Sequence, residues 1–327
     1  MYEFIAPLNI LVIGMVALWW FSDLVVRYAQ QLAYLTKYTT FFLGFVLIAF
    51  STGMPELSIA ISSVFAGAPA LSVGDILGSN FANIAVVLGL PVLSSRAIGV
   101  SKHEIRPFMT MLGLVALLTV MVFLFKNITW KHGLFLIATY ASATWWLTGT
   151  RHAQELVADE LAEAKEEVKL EEEYLISRSG TILKLVGSML LVVIASSICV
   201  RAALRLINLW NLQHEIFGAT VMALGTSLPE LAVNFLSVRK REYSLAIGNA
   251  LGSSLMQGSF VLGLLACMAG KVSLAGILHL LPFSLGAFAI VGFGIGVRGK
   301  INRLEGLLLV ALYIGFLYYE YFFKLMA

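Results

Sequence analysis

Charge is scarce in this chain: 13% of its 327 residues are Asp, Glu, Lys or Arg, and they form no basic cluster. With a net charge of only +3, a nucleic-acid partner has nothing to recommend it. Cysteine is scarcer still. Cys199 and Cys267 stand alone in apolar runs, which excludes a disulfide framework or a thiolate metal site and leaves them as packing residues. The five histidines (103, 132, 152, 214 and 279) carry no assigned role. The opening Met1, Tyr2 and Glu3 lack a basic region and no small-residue cleavage site follows, so the first apolar run reads as a spanning helix and not a signal peptide.

What the chain has in excess is apolar surface, at 59% hydrophobic residues and a mean hydropathy of +0.89. That composition predicts an all-α polytopic membrane protein. Runs long enough to cross ~30 Å of hydrocarbon fall at 5–26, 39–66, 71–94, 107–125 and 133–149, and again at 182–206, 215–238, 243–269, 272–297 and 302–324. Ten helices in two groups of five give a first repeat over 1–149, a linker over 150–181 and a second repeat over 182–327. The linker holds nine acids between Glu155 and Glu173 and reads as a solvated, charged segment with no EF-hand spacing. Sixteen Lys and Arg flank one side of the spans and six the other. This bias puts the linker in the cytoplasm and both termini outside, in a multi-pass cell-membrane protein. Five helices per repeat is an odd number, so the second repeat enters from the opposite side. Inverted repeats of this kind are a recurrent build of secondary transporters.

Within the repeats lie two related stretches, Gly44–Gly89 and Gly218–Gly263. They align without a gap at an offset of 174, with sixteen of 46 positions identical. Each places a glutamate after a proline, in STGMPE (Glu56) and GTSLPE (Glu230). Carboxylates inside a membrane are expensive and point to function. Pro55 and Pro229 cannot donate a backbone hydrogen bond, so carbonyls one turn earlier are expected to be released toward a cavity. Ala223, Thr226, Ser227 and Glu230 share one helical face, as do Ala49, Thr52, Gly53 and Glu56. The following helices add Ser79 with Asn83, and Ser253 with Gln257, each pair four residues apart. The GxxxG spacings Gly74/Gly78 and Gly248/Gly252 predict close helix packing.

Carboxylate, hydroxyl, amide and carbonyl oxygens with no His or Cys make a hard site suited to Ca²⁺. Two negative charges match one divalent ion, and an emptied site must take up protons or monovalent cations. Asp75, which matches Asn249, stands between a ligand role and a helix-end role, and Asp23 reads as a partner for Arg27. Trp19, Trp20, Trp145, Trp146, Tyr318 and Tyr319 read as interfacial belts. A passive channel could also use paired acids, but discontinuous inverted halves speak against it. An acid protease is disfavoured because proline-preceded glutamates amid hydroxyls suit cation ligation better than water activation.

These motifs, with GNALGSS in the second repeat and GDILGSNFAN in the first, resemble the calcium/cation antiporter superfamily, and most closely its prokaryotic sodium/calcium exchanger-like members. The resemblance covers the whole chain. It implies an antiporter that exports Ca²⁺ in exchange for Na⁺, with the Ca²⁺ between Glu56 and Glu230 and completed by backbone oxygens of Thr52 and Thr226. It further implies monovalent sites at the carbonyls of Ala49 and Ala223 with Ser79, Ser227 and Ser253, and Asn83 at the centre. The first and sixth helices would slide across the rest. It implies no cofactor and no obligate protein partner; the bilayer and the transported ions are the partners. Three positions depart from the pattern: Gly53 where a serine is expected, Gln257 where an acid is expected, and Asp75 where an asparagine is usual. Gln257 looks like the proton-coupled exchangers of the superfamily, so a Ca²⁺/H⁺ exchanger is the alternative.

Overall fold

The computed structural model describes residues 2–36, 40–95, 97–148, 178–241 and 243–323. Most of the charged linker therefore lies outside the described residues. Helix α1 (Tyr2–Thr36) is followed by α2 (Thr40–Phe65) and α3 (Pro69–Ala82), which passes through a π-helical turn (Asn83–Val87) into α4 (Gly89–Ser94). Strand β1 (Ala97–Gly99), α5 (Lys102–Phe125), β2 (Asn127–Thr129) and α6 (Trp130–Thr148) complete the first half. The second half opens with α7 (Arg178–Trp210). A broken segment follows: α8 (His214–Phe217), a π turn (Gly218–Met222), α9 (Ala223–Thr226) and α10 (Leu228–Lys240). Then come α11 (Tyr243–Met256), a π turn (Gln257–Val261), α12 (Leu262–Ala269), β3 (Lys271–Ser273), a 3₁₀ turn (Ala275–Ile277), α13 (Leu280–Arg298), β4 (Lys300–Asn302) and α14 (Arg303–Phe323).

Seven of the described helices are long and apolar enough to cross a membrane, and eight if the pair bent by 41° at Ser227 is one span. This is a multi-pass membrane protein. Of the aromatic residues read as belts, Trp19, Trp20, Trp145, Trp146 and Tyr318 are exposed and Tyr319 is half-buried.

The two halves are interlocked and not merely adjacent. Strand β1 of the first half pairs antiparallel with β4 of the second, and β2 of the first pairs with β3 of the second. Glycines seal the same exchange. A β-carbon at Gly306 would stand 3.0 Å from the Gly89 carbonyl, and one at Gly263 would stand 2.7 Å from that of Gly133. Gly89 and Gly263 are equivalent positions of the duplicated stretches. At each, only a missing side chain lets the backbones approach this closely.

The central spans, Pro69–Ser94 and Ala246–Ala269, are the ones with most of their residues buried. Around them sits the main core, while α1 and α7 pack lengthwise on each other and share a second hydrophobic cluster. In that cluster Cys199 lies against Gly14 and is fully buried, a packing residue as expected. Cys267 is only half-buried, with its Sγ 3.6 Å from the Trp130 carbonyl.

Helix ends follow local chemistry. The Ser101 amide donates to Glu104 Oε2 (3.0 Å), and the Asn302 amide donates to Glu305 Oε2 (2.9 Å), so each carboxylate closes the open N-terminus of its helix. Glu305 also pairs with Arg298. Glu320, a buried acid near the end of the last helix that the apolar pattern conceals, pairs with His279.

Two expectations are corrected by the backbone. Helix α2 runs unbroken through Pro55, whereas the second copy is interrupted at Ser227, two residues before Pro229. The irregularity that both copies share is a π turn further on, beginning at Asn83 in one and Gln257 in the other. The GxxxG pairs also differ. Gly74 lies against the Glu215 carbonyl, and a β-carbon at Gly78 would stand 2.5 Å from that of Ala219. Gly252, by contrast, has nothing within 4 Å among the described residues.

Candidate cation site

The site forms where α2, α3, α9–α10 and α11 meet, and the offset between the repeats supplies its geometry. Residues at equivalent positions touch one another, as residues on a two-fold axis do. Asn80 donates through Nδ2 to the Ser254 carbonyl (3.1 Å), and Ser254 Oγ donates back to the Asn80 carbonyl (3.4 Å). One turn on, Asn83 Nδ2 donates to Gln257 Oε1 at 3.0 Å. Both amides open a π turn, the helical irregularity that most often accompanies functional positions.

Gln257 Nε2 donates in turn to Glu56 Oε1 (3.0 Å). An ionised carboxylate can only accept, so Glu56 fixes which end of the Gln257 amide faces it. The Gln257 oxygen is thereby left for Asn83 Nδ2. Asn83 Oδ1 has no hydrogen-bond partner among the described residues, and neither has Glu56 Oε2.

On the other side, Glu230 stands on α10 with Glu56 near enough for their charges to interact. Neither of its oxygens has a hydrogen-bond partner, although the residue is buried. Ser227 and Ser253 are buried with unpartnered hydroxyls as well. Ser79 Oγ reaches the Ala223 carbonyl (3.3 Å) and Thr226 Oγ1 (3.2 Å), and Thr226 donates to Asp75 Oδ1 at 3.0 Å. Among the described residues no Lys, Arg or His forms an ion pair with Glu56, Glu230 or Asp75.

The structure thus brings together Glu56, Gln257 and Asn83 as one chain of contacts, and Ser79, Thr226 and Ala223 as another. Ala49 and Thr52 belong to α2, but their side chains lie outside the described residues. Three contributors were not singled out from the sequence, Asn80, Ser254 and Met256, while Asp75, read there between a ligand role and a helix-end role, accepts from Thr226. The first two could have been found from the offset alone, since both are polar and stand 174 residues apart. Met256 carries no such signal. Its thioether sulfur lies 2.8 Å from where a β-carbon at Gly53, the position matching Ser227, would stand.

Buried acids beside hydroxyl, amide and carbonyl oxygens are the donor chemistry that a hard cation takes. The family described as sodium/calcium exchanger protein matches residues 7–149 and 181–322. The chain belongs to that family. Exchangers of this family are transporters and not enzymes. Among curated relatives, the putative antiporter CaxA of Alkalimonas amylolytica is 26% identical over 94% of this chain and 96% of its own length. The sodium/calcium exchanger MaX1 of Methanosarcina acetivorans is 26% identical over the same shares of the two chains. Two solved structures share the exchanger fold. The H⁺/Ca²⁺ exchanger CAX has a TM-score of 0.74 at 16% identity, covering 95% of this chain and 81% of its own. The sodium-calcium exchanger NCX_Mj has a TM-score of 0.59 at 22% identity, covering 95% and 97%.

Proposed function

We propose that this exchanger exports Ca²⁺ across the cell membrane in return for Na⁺, binding both alternately at one midplane site between Glu56 and Glu230. The observation that carries the reading is the pair itself. Two acids at equivalent repeat positions are buried, and three of their four oxygens lack a hydrogen-bond partner among the described residues. Unpaired carboxylates in such a place are tolerated only if a cation answers them.

Ca²⁺ takes six to eight oxygens at about 2.3–2.6 Å. Glu56, Glu230, Asn83 Oδ1 and the backbone oxygens of Thr52 and Thr226 supply that chemistry. Ala49, Ala223, Ser79, Ser227, Ser253 and Gln257 surround them as the monovalent-ion shell. Releasing the divalent ion exposes two negative charges to each other, and this repulsion draws in the counter-ions. Exchange follows because neither ion set can leave without the other's charge replacing it.

The ten helices act as two inverted five-helix repeats, 1–149 and 182–327, with the linker in the cytoplasm and both termini outside. The exchanged strand pairs and the glycine seams support this arrangement, since each joins one half to the other in matching fashion. Helices α1 and α7, which pack lengthwise on each other and meet α2 and α3 through a shared hydrophobic cluster, move as a unit across the remainder. Met15 of α1 lies against Gly225, beside the break that carries Ser227.

A second reading is Ca²⁺/H⁺ exchange on the same scaffold, and one contact favours it. The Gln257 amide donates to Glu56 where an acid would require a bridging cation. Ca²⁺ uptake into vesicles reconstituted with the protein separates the two. An outward Na⁺ gradient is expected to drive uptake, and uptake with a pH gradient alone would replace Na⁺ by H⁺ as the counter-ion.

A further inference from the structure

One backbone carbonyl of the first half lacks its ordinary helical partner. In an α-helix Val87 would accept from the amide four residues on, but that residue is Pro91, which carries no N–H. Both residues are buried, away from water. Asn234, on α10 of the second half, supplies the donor: its Nδ2 lies 2.9 Å from the Val87 carbonyl. We propose that Asn234 is a positioning residue of the cation site, holding the π turn that begins at Asn83 against the helix that carries Glu230. The proposal rests on the reading of Glu56 and Glu230 as the divalent site.

The surroundings fix how the amide lies. Asn234 is fully buried, and its Nδ2 donates a second time to the Ala246 carbonyl of α11 at 3.0 Å. Its Oδ1 accepts from Asn249 Nδ2 at 2.8 Å. A flipped amide would set its oxygen against two carbonyls and its hydrogens against those of Asn249. Only one orientation satisfies all three contacts.

A single side chain therefore ties three segments together: α10, α11 and the end of the Asn83–Val87 turn. Two of these bear directly on the cation. Asn234 follows Glu230 by four residues, on the same face of α10. Val87 closes the turn that Asn83 opens. Holding that turn fixes where Asn83 presents its Oδ1, the oxygen left without a partner among the described residues.

The other half lacks both parts of this arrangement. At the offset of 174, the counterpart of Pro91 is Leu265, which keeps its amide. The counterpart of Asn234 is Ala60, which has nothing to donate. Where the backbone donor is missing, a buried amide replaces it from across the halves; where the donor is present, the amide is absent. An asparagine serving packing alone would bear no such relation to a proline in the opposite half. The brace is one-sided, and it acts on Asn83 and not on Gln257.

The test is equilibrium binding of radiolabelled Ca²⁺ to the purified full-length protein, with the melting temperature in Ca²⁺-free detergent measured beside it. Asn234→Ala strands the Val87 carbonyl and is expected to weaken Ca²⁺ binding about tenfold, or 1.4 kcal/mol, and to lower the melting temperature. Pro91→Ala gives the backbone amide back. Added to Asn234→Ala, it is expected to return Ca²⁺ affinity to within about threefold of the wild type and to recover the melting temperature. Wild-type Ca²⁺ affinity in Asn234→Ala, even with a lower melting temperature, would make the residue a packing element and overturn the proposal. A double variant that binds Ca²⁺ no better than Asn234→Ala would overturn it as well. If Asn234→Ala alone yields no folded protein, the double variant decides: folded protein with near-wild-type Ca²⁺ affinity is expected, and anything less overturns the proposal. Glu230→Gln separates the two ideas. Ca²⁺ binding at wild-type strength there refutes the divalent reading, whereas the melting temperatures report the Val87 contact without Ca²⁺.

Discussion

Asn83 and Gln257 stand at the same position of two duplicated stretches and are hydrogen-bonded to each other, Nδ2 to Oε1, at 3.0 Å. This contact joins equivalent positions of the two stretches directly. Because the two residues differ, the relationship is also where the symmetry ends. Gln257 continues to Glu56, whereas Asn83 leaves its oxygen unpartnered.

Replacing Gln257 with glutamate puts a second carboxylate where an amide now donates to Glu56. Two carboxylates at hydrogen-bonding distance require a cation or a shared proton between them. Gln257→Glu is expected to make Ca²⁺ transport depend more steeply on Na⁺, read as a higher Hill coefficient in reconstituted vesicles. An unchanged Na⁺ curve would show that Gln257 does not stand in for a coupling ion.

Gly53→Ser restores the hydroxyl expected from the resemblance, but its β-carbon would fall 2.5 Å from Met256 Cε. Overpacking of this kind costs about 1–3 kcal/mol, so the variant should melt at a lower temperature in detergent. Adding Met256→Ala should relieve the clash. Strictly additive effects of the two substitutions would mean that they do not share this space.

The glycine seams between halves admit no side chain. Gly263→Val would drive methyl groups into the Gly133 carbonyl and Ile137, and is expected to abolish a monodisperse, folded preparation on size-exclusion chromatography. Gly187→Val, at a position with open space around it, should leave the protein intact. Equal behaviour of the two variants would contradict the close approach.

Much of the site was legible because repeats convert sequence distance into spatial proximity. Glu56, Glu230, Ser79, Thr226 and Asn83 were each marked by a polar residue recurring at a fixed offset inside apolar helices. Most helix boundaries followed from hydropathy, though α1 and α7 extend well beyond their apolar runs, and the run at 272–297 opens with the end of β3 and a 3₁₀ turn before α13 starts at Leu280. What the pattern could not show were consequences of asymmetry. Proline was expected to open both copies, yet α2 continues through Pro55, so a ring that removes one hydrogen bond need not break a helix whose neighbours support it. Asp75 was ambiguous because its hydrogen-bond partner, Thr226, comes from the other half of the chain. Met256 reads as ordinary core, and its closeness to Gly53 is a tertiary fact. His279 and Glu320 are 41 residues apart and meet only when α13 and α14 pack.

The shared divalent site is tested most directly by equilibrium binding of radiolabelled Ca²⁺ to purified wild type, Glu56→Gln and Glu230→Gln. Removing one member of a buried charge constellation costs about 3–5 kcal/mol, which is roughly 100-fold or more in Kd. Each single variant should lose binding to that extent, because the two glutamates hold one ion. Wild-type Ca²⁺ affinity in either variant would contradict the account.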